Sequence, residues 1–241
     1  STGSHPTTTK ADGHLLEYFR QNFTEGGGGT NELPPKNQAT GGTKTYGPGP
    51  SGPQHYTVHK FTSSGSLVVE NAAPGPDAVA EVMVVAGGGG GGTHSGGGGG
   101  AGGLLYYGSP NGSKTANGAG KTLVKDRTYP VVIGSGGVGG HGNYPTPPSS
   151  IGGDGNPSSF NDPGGPNFVA TGGGGGGHQT TAGRPGGSGG GGGRDYAGGS
   201  GVSGQGFAGG SPGNNSNPYP GGGGGGASET GFGNASAGGA G

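Results

Sequence analysis

The sequence predicts a mainly β chain with much non-regular structure: a small β-sandwich whose strands run into a bundle of polyglycine II helices, with one short N-terminal α-helix. Three observations carry that expectation. Glycine supplies 74 of the 241 residues, nearly a third of the chain against an ordinary usage of about 7%. Leu, Ile, Val and Phe are scarce, so side-chain burial at roughly 25 cal/mol per Å² cannot offset roughly 1–2 kcal/mol of backbone entropy per residue. Finally, three short apolar strands each run straight into a glycine tract. Val79–Ala86 enters Gly87–Gly92, Thr128–Ile133 enters Gly134-Ser135-Gly136-Gly137, and Asn167–Thr171 enters Gly172–Gly177.

Residues 1–55 read as a non-repetitive leader. Within it Leu15, Leu16, Phe19 and Phe23 recur at the spacing of one helix face, so a helix is expected at about 14–23. Asp12 is placed to cap it, and the glycines from Gly26 stop it. Three turns of helix are marginal alone, so this one needs a surface to dock on, and these four side chains are the candidate assembly residues. The rest of the leader, through Pro34-Pro35 and Tyr46 to Pro53, reads as a Pro/Gly-rich extended arm. Tyr56–Thr62 and Ser66–Glu70 follow as strands joined by the turn Ser63-Ser64-Gly65, and Val79–Ala86 as a third strand.

The glycine tracts need their own account, because glycine loses the most conformational entropy on ordering. In a left-handed threefold helix rising about 3.1 Å per residue, no backbone group bonds within its own helix. Each N–H and C=O must find a partner on a neighbour or in water. Without Cβ atoms such helices approach closely enough to pair with several neighbours, at a net gain of order 1 kcal/mol per hydrogen bond. Main-chain bonds would then stand in for the missing apolar core.

Composition excludes several functions. The formal net charge is -1 and only 10% of residues are charged, which gives no basic footprint for nucleic acid. There is no cysteine, hence no disulfide staple, zinc ribbon or thiol chemistry. No apolar run approaches bilayer length, so membrane insertion is not expected. The first residues lack the basic and apolar segments of a signal peptide, leaving secretion by the ordinary route without support.

The series Phe61–Leu67, Val82–Ala86 into glycines, Gly96–Gly103 with Leu104-Leu105-Tyr106, Tyr129–Gly140, Ser158-Ser159-Phe160 and Val169-Ala170-Thr171 into glycines resembles the glycine-rich domain of bacteriophage tail-fibre and other virion surface proteins. The match covers roughly residues 56–180. A looser similarity to phage adhesins built of stacked polyglycine II helices covers Gly87–Gly241. The resemblance carries no catalytic motif; it implies a structural or receptor-contacting role on a particle or cell surface, usually in a homo-oligomer. One departure is Pro130, which sits inside an expected strand and should demote it to an edge or a bulge.

Motifs that look like chemistry dissolve on inspection. Gly134–Gly139 satisfies G-x-G-x-x-G, but Gly140-His141-Gly142-Asn143-Tyr144-Pro145 forbids the helix that would receive a pyrophosphate. Gly120-Lys121-Thr122 resembles the end of a P-loop, but Thr115 stands where its first glycine is required. His55 and His59 on one strand face lie about 13 Å apart, too far to share an ion. His94 and His178 flank glycine tracts, where they are expected to bond free carbonyls. Gly136–His141 resembles a calcium-binding repeat with His141 in place of the needed aspartate. No paired acids or Ser/His/Asp grouping is visible, so no catalytic residue, metal or cofactor is expected. Sequons occur at Asn22, Asn111, Asn214 and Asn234.

Most aromatics are expected to plug the sandwich and the bundle's edges. Two in turn segments, Tyr196 and Tyr219, are the candidate receptor-contact residues, since loops on a rigid scaffold are where such contacts form. The expected division is a leader at 1–55, a glycine-rich β-sandwich domain at 56–180, and polyglycine II and turn segments at 181–241. The function expected is that of a non-enzymatic structural subunit of a surface fibre or virion appendage, partnered by copies of itself and by other virion or cell-surface proteins or glycans. The alternative is a receptor-binding adhesin at a phage fibre tip.

Overall fold

The computed structural model describes residues 37–48, 55–108, 116–142, 150–213 and 219–233, all within the second of the chain's two units, Lys36–Gly241. The expected helix with Leu15, Leu16, Phe19 and Phe23 lies outside the described residues, as do all four sequons. Among the described residues the fold is mainly β, with one 3-10 turn at Gly75–Ala78 and four small, open sheets.

The strands are β1 (Gln38–Thr40), β2 (Thr43–Pro48), β3 (His55–Lys60), β4 (Gly65–Asn71), β5 (Val79–Ala80), β6 (Val82–Val85), β7 (Leu104–Tyr107), β8 (Lys121–Thr122), β9 (Thr128–Val132), β10 (Ser158–Phe160) and β11 (Phe168–Ala170). A five-stranded sheet runs β1-β4-β9-β10-β11, and β2-β3, β5-β8 and β6-β7 form two-stranded sheets. Every pairing between these strands is antiparallel. Burial alternates with period two, as in Thr128–Val132, where Tyr129 and Val131 face inward.

The core lies between the five-stranded sheet and β6-β7, which packs over β10 and β11. Leu67, Val69, Val84, Leu105, Val131 and Ala170 fill it together with an aromatic run. Tyr107 stacks on Phe168 with ring centroids 3.8 Å apart, Phe168 on Phe160 at 6.1 Å, and Phe160 on Tyr129 at 5.2 Å. Tyr129 is fully buried, and its hydroxyl accepts the Val124 N–H at 3.0 Å, so its one polar atom is satisfied.

Three details differ from the sequence reading. The arm supplies two strands: β1 joins β4 at the sheet edge and β2 pairs β3 from Thr43↔Lys60 to Pro48↔His55. The single expected strand Val79–Ala86 breaks at Glu81, because Val79–Ala80 turns to pair β8 while Val82–Val85 pairs β7. Pro130 lies in β9, between β4 and β10, rather than on an edge. Its carbonyl accepts the Asn161 N–H at 2.9 Å, just past the last β10 residue, Phe160. Both backbone groups of an antiparallel residue point the same way, so the missing Pro130 donor faces Asn161, at the last rung of the β9-β10 ladder, and only that one bond is forgone.

Candidate functional site

The glycine tracts extend the strands. The β6-β7 hairpin continues through Ala86 N–H to Gly103 O (3.0 Å), Gly89 N–H to Gly100 O (2.8 Å) and Gly92 N–H to Gly97 O (2.9 Å), and Thr93-His94-Ser95 closes it at the end away from the sheets. Along this thread the partners change in a cycle of three. Gly87 and Gly90 donate to Asn156 and Gly153 at 3.0 and 2.8 Å, whereas the carbonyls of Gly88 and Gly91 accept from Gly137 and Gly140, both at 2.8 Å. A fourth thread adds Gly173 and Gly176, which donate to the carbonyls of Gly87 and Gly90 at 2.8 and 2.9 Å. Each neighbour is met at every third residue, so the bonds radiate sideways in several directions. A β-strand's bonds lie in one plane.

Close approach is what requires glycine here. A Cβ added at Gly176 would sit 2.7 Å from the Gly97 carbonyl carbon and 2.9 Å from the Gly92 nitrogen, inside van der Waals contact. The outer thread contrasts with this: at Gly139 an added Cβ meets nothing within 4 Å. Among the buried glycines stands one polar side chain, Ser188, whose hydroxyl lies 2.8 Å from Gly102 O and 3.0 Å from Gly226 O.

The turns at the far end gather the candidate contact residues. Arg194 N–H donates to Ser95 O at 3.0 Å, which sets the Arg194-Asp195-Tyr196 turn beside the hairpin tip, and Gly193 N–H donates to Thr181 O at 3.1 Å. The Arg194 guanidinium carbon lies 4.1 Å from the Tyr219 ring centroid, a cation–π contact. Its Nε is 3.8 Å from Asp195 Oδ2. Tyr196 and Tyr219 are 43% and 39% exposed. Among the described residues, four of the five non-glycine residues with positive φ belong to this end: His94 (50°), Ser95 (53°), Arg194 (28°) and Tyr219 (49°). Such φ values disfavour L-residues, and elsewhere among the described residues glycine takes them, at Gly102 and Gly204 for instance, with Asp126 the exception. Side chains are thus held here at backbone positions that glycine would fill without strain.

Sequence reading picked Tyr196 and Tyr219 but not Arg194, which links their two turns, nor Asp162. The Asp162 side chain is wholly buried, contacts the Lys121 ammonium, and lies 3.6 Å from Arg127 Nη1. Gly164 N–H donates to its Oδ1 at 3.1 Å. Burial pushes its carboxyl pKa up, but the Lys121 hydrogen bond, the Gly164 amide and the charges of Lys121 and Arg127 together hold it below the ordinary carboxylate value. This is a clamp of β8 and the β9 approach onto the β10-β11 turn. The Asn161-Asp162-Pro163-Gly164-Gly165 turn was its signal in the sequence.

The other candidates resolve as structure. Gly134–Gly139 lies in the outer thread and Lys121 in β8. The His59 ring is 2.8 Å from Gly41 O through Nδ1. His178 Nδ1 accepts the Thr180 N–H at 3.0 Å, so this ring takes an amide and does not donate there to a carbonyl as expected. Among the described residues no group of three or more His, Cys, Asp or Glu side chains could hold a metal ion, and no helix is long and apolar enough to cross a membrane.

Residues 63–241 match the family model described as Glycine-rich domain. No curated protein matches the chain, and no solved structure does. The chain belongs to the glycine-rich domain family.

Proposed function

We propose that this glycine-rich domain protein is a non-enzymatic structural subunit of a surface fibre or virion appendage, held together as a small β-sandwich continued by a bundle of polyglycine II helices. The observation that carries the reading is the three-residue cycle of hydrogen-bond partners along Gly87–Gly92, the period of a threefold extended helix. A body cohering through main-chain bonds suits a surface role. It needs no cofactor, tolerates side-chain change at its turns, and its outer threads carry backbone groups that another copy can bond, as an open sheet edge does. Copies of itself are the proposed partner. The tail-fibre setting rests on the sequence resemblance alone. Light scattering and negative-stain imaging across a concentration series test the reading. Uniform filaments or defined oligomers are expected; a monomer at every concentration overturns it.

A second reading, a receptor-binding adhesin at a fibre tip, is favoured by the far-end turns, where Tyr196 and Tyr219 are exposed, Arg194 is half-buried against Tyr219, and Arg194 and Tyr219 hold positive φ. Flat aromatic faces beside a guanidinium suit the ring faces and hydroxyls of surface glycans. Glycan-array binding that Tyr196→Ala and Tyr219→Ala abolish without lowering the Tm would support this reading, and binding unchanged in both variants would refute it.

A further inference from the structure

We infer that the outward face of the β6-β7 hairpin receives the leader segment Leu15–Phe23 of a second copy. This rests on the self-assembly reading above and names the contact that would bring it about. In register, Met83 pairs with Tyr106 and Val85 with Leu104, on the opposite face from the buried Val84 and Leu105; Tyr106 on this face is itself buried and Leu104 half-buried, so the open part is formed by Met83 and Val85 beside Leu104. Met83 is 67% and Val85 51% exposed. The Tyr106 hydroxyl on this side is hydrogen-bonded to Glu81.

Met83 and Val85, two residues apart on one strand, stand together as an exposed apolar pair that a partner would cover. The sequence offers one: the stripe of Leu15, Leu16, Phe19 and Phe23, too short to stand as a helix without a surface to dock on. Charge agrees, since Arg20 beside that stripe matches Glu81 beside Tyr106. Reach agrees as well. The residues between Phe23 and Asn37 can span up to about 40 Å at roughly 3.3 Å each, enough to cross to a neighbouring copy. Each copy carries one stripe and one face, so the contact is head-to-tail and propagates as a ring or a filament.

The absence of native cysteine makes the test clean. Phe19→Cys on a chain with a mass tag is mixed with untagged Met83→Cys under copper–phenanthroline oxidation, with Ser228→Cys as the exposed control partner. Docking raises local concentration, so the tagged–untagged disulfide should form about tenfold faster with Met83→Cys than with the control. The double substitution Met83→Lys/Val85→Lys changes only exposed positions, and should abolish association with the Tm retained. Equal rates with Met83→Cys and the control overturn the inference. So does a Phe19→Cys/Met83→Cys double variant that closes only within its own chain. Light scattering on the same samples separates the failures: copies that associate without the cross-link sink this contact alone, whereas monomers throughout sink the self-assembly reading with it.

Discussion

Replacing Gly176 by alanine tests whether backbone contact between threads holds this protein together. The new methyl would lie 2.7 Å from the Gly97 carbonyl carbon, and carbon atoms rest about 3.5–4.0 Å apart, so the threads must part by about 1 Å. The bonds nearest that contact are Gly176 N–H to Gly90 O (2.9 Å), Gly97 N–H to Gly177 O (2.8 Å) and Gly92 N–H to Gly97 O (2.9 Å). Parting by that amount takes them to about 3.8 Å, beyond hydrogen-bond range. Three bonds at about 1 kcal/mol each, plus about 1–3 kcal/mol for any group left buried and unpaired, give a loss of about 3–6 kcal/mol. Gly139→Ala is the matched control: the site has open space and an unstrained backbone, so stiffening the unfolded chain leaves the variant level with the parent or up to about 1 kcal/mol more stable. Urea denaturation followed by far-UV circular dichroism measures both. A Gly176→Ala loss under 1 kcal/mol, or equal losses for the two variants, would refute the reasoning.

Three further outcomes are expected. Ser95→Gly relieves a left-handed backbone and should stabilise by about 0.5–1 kcal/mol in the same denaturation assay, because the strain relieved exceeds the entropy glycine adds to the unfolded chain. Ser188→Ala strips a buried hydroxyl from two glycine carbonyls and should cost about 1–3 kcal/mol, read as a lower urea midpoint. Asp162→Asn removes the charge facing Lys121 and Arg127 and should cost about 3 kcal/mol at pH 7. The Asp162 pKa is lowered on folding, so its contribution is present above the unfolded value of 3.8 and lost as pH falls through the folded one. The gap between parent and variant should therefore hold at neutral pH and close only below about pH 4 in a pH series of melts.

The strands that feed glycine tracts were legible because Val82–Val85, Thr128–Val132 and Phe168–Ala170 combine β-branched and aromatic residues with an abrupt change of composition. Gln38–Thr40 and Thr43–Pro48 were not. They carry little apolar signal beyond Ala39 and Tyr46, and pairing with β4 and β3 makes them strands. The break at Glu81 was hidden for the same reason, since it depends on two different partners claiming one run. Pro130 misled because the usual rule concerns a missing donor, and only the fold shows that the one bond it forgoes falls opposite Asn161, at the last rung of the β9-β10 ladder. At the far end, Tyr196 and Tyr219 could be chosen as turn aromatics, but the contact of Arg194 with Tyr219 joins positions 25 residues apart that only the folded threads bring together. Asp162 has no basic partner nearby in sequence, because Lys121 and Arg127 lie 41 and 35 positions before it and meet it only in the fold.

Amide hydrogen exchange along the outer thread and its neighbour tests the central claim most directly, because each glycine reports its own backbone bond. The account predicts slow exchange at Gly137 and Gly140, which donate to Gly88 and Gly91, and fast exchange at Gly136, Val138 and Gly139, which have no partner in the described chain. Across the buried thread, Gly173, Gly174, Gly176 and Gly177 should all be protected. Uniformly fast exchange through Gly173–Gly177, or protection along residues 134–140 without the three-residue rhythm, would contradict it.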